Sequence, residues 1–231
     1  VYKRQGYDTL DHMHIDVRLG GDAAFDQLVA ACRDMGLQVM LDGVFNHVSR
    51  NHPAVQTALD ETAGRLNPAD NPWHGLVRAH VGDNGEPALD VFEGHGDLVA
   101  LDHSADETVD YVAHVMSHWL DRGAAGWRLD AAYAVPSPFW ARVLPQVKAA
   151  HPYSWIFGEV IHGDYPRIIE ESTMDSITQY ELWKSIQHAL ETENFFELDW
   201  NLKRHNAFLD SFVPQTFIGN HDVTRIASQI L

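Results

Sequence analysis

The sequence predicts an α/β fold built on a parallel sheet. Helix-like and strand-like segments alternate along the chain, which implies parallel strands joined by right-handed crossovers. Four strand-like segments end in charged or imidazole-bearing residues. Because ligands gather at the carboxyl ends of parallel strands, and because a barrel brings all those ends to one rim, the pattern favours a (β/α)8 barrel over a doubly wound sheet.

Apolar runs, helical spacing and breaker residues place the individual elements. Strands are predicted over 37–41, 124–129, 154–158, 175–180 and 215–219. Helices are predicted over 109–120 and 181–190, from Asp22 to the stop at Gly36, from the capping residue Ser137 to Val147, and from Thr224 onward.

Residues 48–103 interrupt this alternation with repeated prolines and glycines, which is typical of an inserted subdomain. The chain therefore divides into a first barrel part (1–47), an irregular insert (48–103) and a second barrel part (104–231). Residues 1–5 match one reading frame of a sequencing adapter and are interpreted as non-native. The second barrel part is interpreted as truncated at its carboxyl end.

Charge and composition exclude several classes of partner. There are 16 Lys and Arg residues against 33 Asp and Glu, a formal net charge of −17, which argues against nucleic acid and anionic membranes. A neutral ligand such as an oligosaccharide fits better, and no apolar stretch approaches the length of a membrane span. Cys32 is the single cysteine, which slightly favours the cytoplasm; oligomeric state is left open.

The stretch from Gly126 to Tyr133 carries the main chemical signal. If it begins as a strand, Arg128 and Asp130 point to one face while Trp127 and Leu129 point to the other. The arginine should lower the pKa of Asp130 and keep it ionised, which suits a nucleophile. A purely structural ion pair explains the same residues.

Three carboxylates at separate strand ends match the needs of glycoside chemistry. Asp130 can attack the sugar, Glu159 can protonate the leaving oxygen, and Asp222 can stabilise the charge that develops on the ring. The apolar run before Glu159 favours a protonated carboxyl, as a general acid requires.

Four segments together resemble the conserved regions of the α-amylase superfamily, glycoside hydrolase family 13. They are Asp42-Gly-Val-Phe-Asn46-His47, Gly126-Trp-Arg-Leu-Asp130, Gly158-Glu159-Val160 and Phe217-Ile-Gly-Asn-His221-Asp222. The resemblance implies a barrel with a subdomain after its third strand and a retaining mechanism on α-glucosidic bonds. It also implies that this chain holds about strands 3 to 7, as a truncated fragment that is unstable and inactive alone.

By the same resemblance, Asp130 is the nucleophile, Glu159 the acid/base and Asp222 the transition-state stabiliser. The implied sugar-binding residues are Tyr7, Asp42, His47, Arg128 and His221. The implied activity is hydrolysis or transglycosylation of maltooligosaccharides or related α-glucans, through a covalent intermediate on the aspartate. A trehalose- or sucrose-type transferase and a non-catalytic amylase-like interaction module are the alternatives.

No metal or other cofactor is predicted. Asn46 resembles a calcium ligand of many amylases, but it has too few oxygen partners in the sequence, so calcium is a weak candidate. His114 and His118 have the spacing of zinc ligands on a helix, which leaves a zinc hydrolase as a further alternative. A solvated polar helix face is the favoured interpretation of this histidine pair.

Overall fold

The computed structural model describes residues 6–229 and consists of short strands that alternate with longer helices. The strands are β1 (Met40–Gly43), β2 (His47–Ser49), β3 (Ala79–Val81), β4 (Pro87–Leu89), β5 (Leu98–Ala100), β6 (Gly126–Leu129), β7 (Trp155–Gly158) and β8 (Ser176–Ile177). The helices are α1 (Gly21–Asp34), α2 (Pro53–Thr62), α3 (Asp106–Asp121), α4 (Ser137–Ala150), α5 (Tyr165–Ser172), α6 (Tyr180–Thr192), α7 (Phe196–Phe208) and α8 (Ile226–Gln229).

The central sheet is parallel and runs in the order β1-β6-β7-β8. Helices α3, α4 and α5 connect or follow its strands, so the predicted α/β class and parallel sheet are confirmed. Its outer member β8 is extended by a parallel bridge between Thr178 and Gln215. A closed (β/α)8 barrel has eight such strands.

The main core lies between this sheet and the helices. Trp127 and Leu129 are 3% and 0% exposed and belong to the same cluster as Met116 of α3 and Trp140 of α4. The Trp127 indole N–H donates to the carbonyl oxygen of Met116 at 3.3 Å. The alternation of side chains along β6 therefore commits one face to the helices and leaves Arg128 on the other.

The insert has a smaller hydrophobic cluster of its own, in which Val48, Val99 and Leu101 are fully buried. Antiparallel pairing of β2 with β5 joins its two ends, and β3 and β4 form a hairpin. The insert is not irregular throughout, because α2 spans ten residues after His52, whose Nδ1 accepts the Ala54 N–H. The separate cluster supports the proposed boundaries at 48 and 103, which stay a prediction.

Several element predictions differ from the structure. Strand β1 starts at Met40 rather than residue 37, since its ladder begins where β6 offers Gly126 as a partner. The strand predicted over 215–219 is reduced to the bridge at Gln215. Helix α8 starts at Ile226. The expectation for residues 1–5 lies outside the described residues.

Besides α2, two further helices were not predicted from the sequence. Helix α5 is capped by Asp164, whose side chain accepts the Arg167 N–H, and has Pro166 in its first turn. Both residues are helix-start signals. In α7 the buried residues are Asn201 and Phe208, so no apolar stripe marks it. Within residues 6–229, every helix is too short or too polar to cross a bilayer.

Gly126 provides a test of how closely β6 and β7 approach. A Cβ atom at Gly126 would lie 2.0 Å from the carbonyl oxygen of Trp155, whereas one at Gly96 meets nothing within 4 Å. We expect Gly126→Ala to lower the free energy of unfolding of the intact protein by about 1 to 3 kcal/mol or more. Gly96→Ala, the matched control, should change it by less than about 0.5 kcal/mol. Urea unfolding followed by tryptophan fluorescence measures both, and equal values for the two variants would contradict the prediction.

Candidate active site

The carboxyl ends of β1, β6 and β7 lie side by side and bring acidic side chains to one rim. Asp42 lies opposite Arg128 in the register of β1 with β6, and Leu129 lies opposite Gly158 in the register of β6 with β7. Asp130 directly follows Leu129 in the chain, and Glu159 directly follows Gly158. The rim predicted from polar strand ends is therefore present for these three segments.

Arg128 contacts three carboxylates with its two terminal nitrogens. Its Nη1 lies 2.7 Å from Oδ1 of Asp42 and 2.9 Å from Oδ1 of Asp130. Its Nη2 lies 3.1 Å from Oε2 of Glu159. Burial lowers the pKa of Arg128, but the hydrogen bonds and charges of these carboxylates raise it overall, so it stays a cation.

Arg128 lowers the pKa of Asp130, as expected, but the expectation that this keeps Asp130 fully ionised is wrong. Burial, helped by the charges of Asp42 and Glu159, raises the pKa of Asp130 to about 7 against the opposing effect of Arg128. The sequence shows the pair but not that Arg128 is shared with two further carboxylates. At neutral pH the free protein therefore holds Asp130 in both protonation states.

Glu159 is 8% exposed, and both of its carboxyl oxygens have partners. The backbone N–H of Ala131 donates to Oε2 at 3.0 Å, and the Tyr180 hydroxyl donates to Oε1 at 3.2 Å. Ala131 has a left-handed backbone with φ of 45°, which is uncommon for a residue with a side chain. This turn directly after Asp130 aims the N–H at Glu159.

Tyr7 and His221 close one side of the site. The Tyr7 hydroxyl donates to Oδ2 of Asp42 at 2.8 Å and lies 2.6 Å from Nε2 of His221. The two rings are nearly parallel, with centroids 5.7 Å apart. Burial and the neighbouring Asp42 raise the pKa of Tyr7, so its hydroxyl keeps the hydrogen.

His47 lies deeper than its predicted role in sugar binding suggests. It is 2% exposed, its Nε2 lies 3.0 Å from the Tyr7 carbonyl oxygen, and its ring stacks on Phe92 at 5.0 Å. Burial lowers the pKa of His47, which makes it neutral. In this structure it positions Tyr7, and contact with sugar stays a prediction.

The fourth segment lies beside the rim without a contact between Asp222 and Arg128. The Asp222 carboxylate lies 3.3 Å from Nε2 of His221. Asp42, rather than Asp222, joins Asp130 and Glu159 as the third carboxylate in contact with Arg128. A cavity of about 290 Å³ is lined by residues that include Asp42, Arg128, Glu159 and His221. The role of Asp222 as transition-state stabiliser stays a prediction.

Two residues of the rim were missed by the sequence reasoning. Tyr180 donates to Glu159, and the side-chain amide of Asn220 donates to the Tyr180 hydroxyl at 2.7 Å. Tyr180 lies three residues beyond the end of β8 and inside the predicted strand 175–180, so a strand predicted to end at Ile177 would have placed it at the rim. Another cavity, of about 440 Å³, lies near the amino ends of the strands, where Val39 and Ala125 line it.

Calcium at Asn46 stays a weak prediction. The Asn46 Nδ2 lies 3.1 Å from Nδ1 of His47. Across residues 6–229, no three or more His, Cys, Asp or Glu side chains are grouped to hold a metal ion. A calcium site needs about six to eight oxygen ligands. Within the same described residues, His114 and His118 belong to no such group of possible zinc ligands.

The comparisons with known proteins agree with this arrangement. Residues 2–230 match the family model described as "Alpha amylase, catalytic domain". The maltogenic alpha-amylase of Bacillus acidopullulyticus is 28% identical over 235 residues, which cover 99% of this chain and 39% of that protein. A cyclomaltodextrinase of a Bacillus species is 29% identical over 230 residues, covering 96% of this chain and 40% of that protein. The chain thus spans about two fifths of these relatives.

Solved structures show the same fold. The cyclic alpha-maltosyl-(1→6)-maltose hydrolase of Arthrobacter globiformis superposes with a TM-score of 0.81 at 23% identity, over 97% of this chain and 51% of that one. A cyclomaltodextrinase also superposes with a TM-score of 0.81, at 25% identity, over 97% of this chain and 39% of that one. The predicted partial (β/α)8 barrel is therefore confirmed. Since the family model matches nearly every residue, the chain belongs to the alpha-amylase family, glycoside hydrolase family 13.

Proposed function

We propose that the intact protein is a retaining α-glycoside hydrolase or transglycosylase that acts on α-glucosidic bonds of maltooligosaccharides or related α-glucans. The observation that carries the proposal is the contact of one guanidinium, Arg128, with both Asp130 and Glu159. Relatives named maltogenic alpha-amylase and cyclomaltodextrinase support the substrate class.

In the first step, a carboxylate oxygen of Asp130 forms a bond to the anomeric carbon. The bond from that carbon to the glycosidic oxygen breaks, and the proton of Glu159 goes to the departing oxygen. In the second step, water or a sugar hydroxyl attacks the same carbon and gives its proton to Glu159. The bond to Asp130 then breaks and the nucleophile is free again.

Retention of configuration is part of the proposal because Asp130 acts as a nucleophile in it. In retaining enzymes about 5 to 5.5 Å separates the two carboxyl groups. An inverting enzyme leaves room for a water molecule and separates them by about 6.5 to 9.5 Å. Asp222 is proposed to stabilise the charge on the ring, with Tyr7, Asp42, His47 and His221 as sugar-binding residues. The mechanism uses no metal or other cofactor.

The alternative of a non-catalytic interaction module explains the rim less well. Asp130 and Glu159 are largely buried, with side chains 12% and 11% exposed, although a carboxylate is costly to bury. A module with no reaction to perform would gain from replacing them with apolar residues. Transfer to a sugar acceptor, as in trehalose- or sucrose-type members, shares the first step and differs in the second.

The nucleophile is tested by Asp130→Asn in the intact protein. Turnover of maltotriose should fall at least about a thousandfold, since the amide cannot form the glycosyl ester. A slow fluorinated glucosyl fluoride should label the wild-type peptide that contains Asp130, as seen by mass spectrometry. Asp90→Asn, which removes an aspartate 3.6 Å from Arg78 on the insert, should keep normal turnover. Wild-type turnover by Asp130→Asn would refute the assignment.

The raised pKa of Asp130 predicts an acid limb in the pH profile. Because the nucleophile is ionised only above about pH 7, kcat/KM for maltotriose should fall about tenfold for each pH unit below that value. Asp42→Asn removes a negative neighbour of Asp130 and should move this limb down by about one pH unit. Steady-state kinetics between pH 5 and 9 measure the shift, with Asp90→Asn as control. A limb that stays in place would show that Asp42 does not tune Asp130.

A further inference from the structure

We propose that Tyr180 is a positioning residue for Glu159. The Tyr180 hydroxyl directs the carboxyl proton of Glu159 toward the leaving oxygen. This inference rests on the proposed function, because it assigns a task to a residue that acts through the acid/base. It concerns the rate of the protonation step rather than the binding of sugar.

Tyr180 is held in place from two sides. It is the first residue of α6, three residues beyond the end of β8, and its hydroxyl lies 3.2 Å from Oε1 of Glu159. Its ring meets Phe217 edge-on at 4.8 Å and Trp183 edge-on at 5.8 Å. Two aromatic contacts leave the ring little freedom, so the hydroxyl is fixed relative to Glu159.

The hydrogen-bond pattern around Asn220 fixes the direction of the Tyr180 hydrogen. The backbone N–H of Asp222 donates to Oδ1 of Asn220 at 3.0 Å, so the other end of the amide is the Nδ2 group. That group lies 2.7 Å from the Tyr180 oxygen and can only donate to it. The Tyr180 hydrogen is therefore left for Glu159. Burial, with help from Glu159, raises the pKa of Tyr180 to about 12, so the hydrogen stays on the hydroxyl.

The surroundings of Glu159 place its own proton on the oxygen that Tyr180 contacts. Oε2 accepts the Ala131 N–H and lies 3.1 Å from Nη2 of Arg128, and both of these partners are donors. A proton on Oε2 would oppose them, so the acid form carries it on Oε1. Tyr180 occupies one lone pair of Oε1, and the O–H bond takes the remaining direction, into the cavity that both residues line.

The same hydrogen bond serves the second step. When Glu159 is ionised, the Tyr180 hydroxyl donates to the carboxylate and holds it in the orientation from which it accepts a proton from water. No covalent bond to Tyr180 forms, and its proton is not transferred. Its contribution is the orientation of Glu159 through one hydrogen bond.

The test compares a substrate that needs acid catalysis with one that does not. For Tyr180→Phe in the intact protein, kcat/KM for maltotriose should fall about tenfold or more. For α-maltosyl fluoride, whose fluoride leaves without protonation, kcat/KM should stay within about twofold of wild type. Since kcat/KM reports only the steps up to formation of the glycosyl-enzyme, the difference isolates the protonation step.

Tyr111→Phe is the matched control, because the Tyr111 hydroxyl contacts His12 at 3.1 Å rather than Glu159. This variant should leave kcat/KM for both substrates at the wild-type value. Incorporation of 3-fluorotyrosine at position 180 retains the hydroxyl and should preserve the wild-type ratio between the substrates, even if Tyr180→Phe fails to fold. Equal losses on both substrates, no loss on either, or a changed ratio with 3-fluorotyrosine would overturn the proposal. A wild-type protein that turns over neither substrate would instead overturn the proposed function, and this inference with it.

Discussion

The rest of the site depends on the ion pairs that the Arg128 guanidinium forms with three carboxylates. Asp42, Asp130 and Glu159 are brought within hydrogen-bond reach of one cation, and without it three negative groups would share a largely buried rim. The sharing also has an electrostatic result: one positive charge cannot fully offset burial plus two like charges at Asp130. Burial, with a smaller contribution from the two like charges, therefore raises the pKa of Asp130 to about 7.

Two different kinds of force hold the two halves of the site. Strand register fixes Asp42, Arg128 and the residues after β6 and β7, and the close approach of Gly126 to Trp155 keeps these strands in contact. The fourth segment, by contrast, is attached through side chains, by the bond from Asn220 to Tyr180 and the contact of His221 with Tyr7. Sheet geometry sets the positions of the first group, whereas hydrogen bonds that water can replace set those of the second.

Strand alternation was enough to predict that Arg128 and Asp130 share a face and that Trp127 and Leu129 face the helices. The pKa shift of Asp130 could not be predicted, because it depends first on burial and then on how many carboxylates surround Arg128, and both are set by the packing of distant segments. Tyr180 was missed because the strand predicted over 175–180 runs through it, whereas β8 ends at Ile177. Helix α7 was missed because it buries too little apolar surface to leave a stripe.

The insert leaves and returns at adjacent points, because β2 pairs with β5. Between them, Phe92 stacks on His47 while Glu93 accepts a hydrogen bond from the Tyr133 hydroxyl at 3.0 Å, so the insert meets the rim on two sides. Lengthening a loop whose ends are already joined costs only about 0.6 kcal/mol per doubling. Evolution can therefore reshape the entrance by insertions and deletions between β2 and β5, while the charged residues beneath it stay where the sheet holds them. Changes in the insert therefore alter which ligand shapes fit, whereas the reacting groups depend on the central sheet.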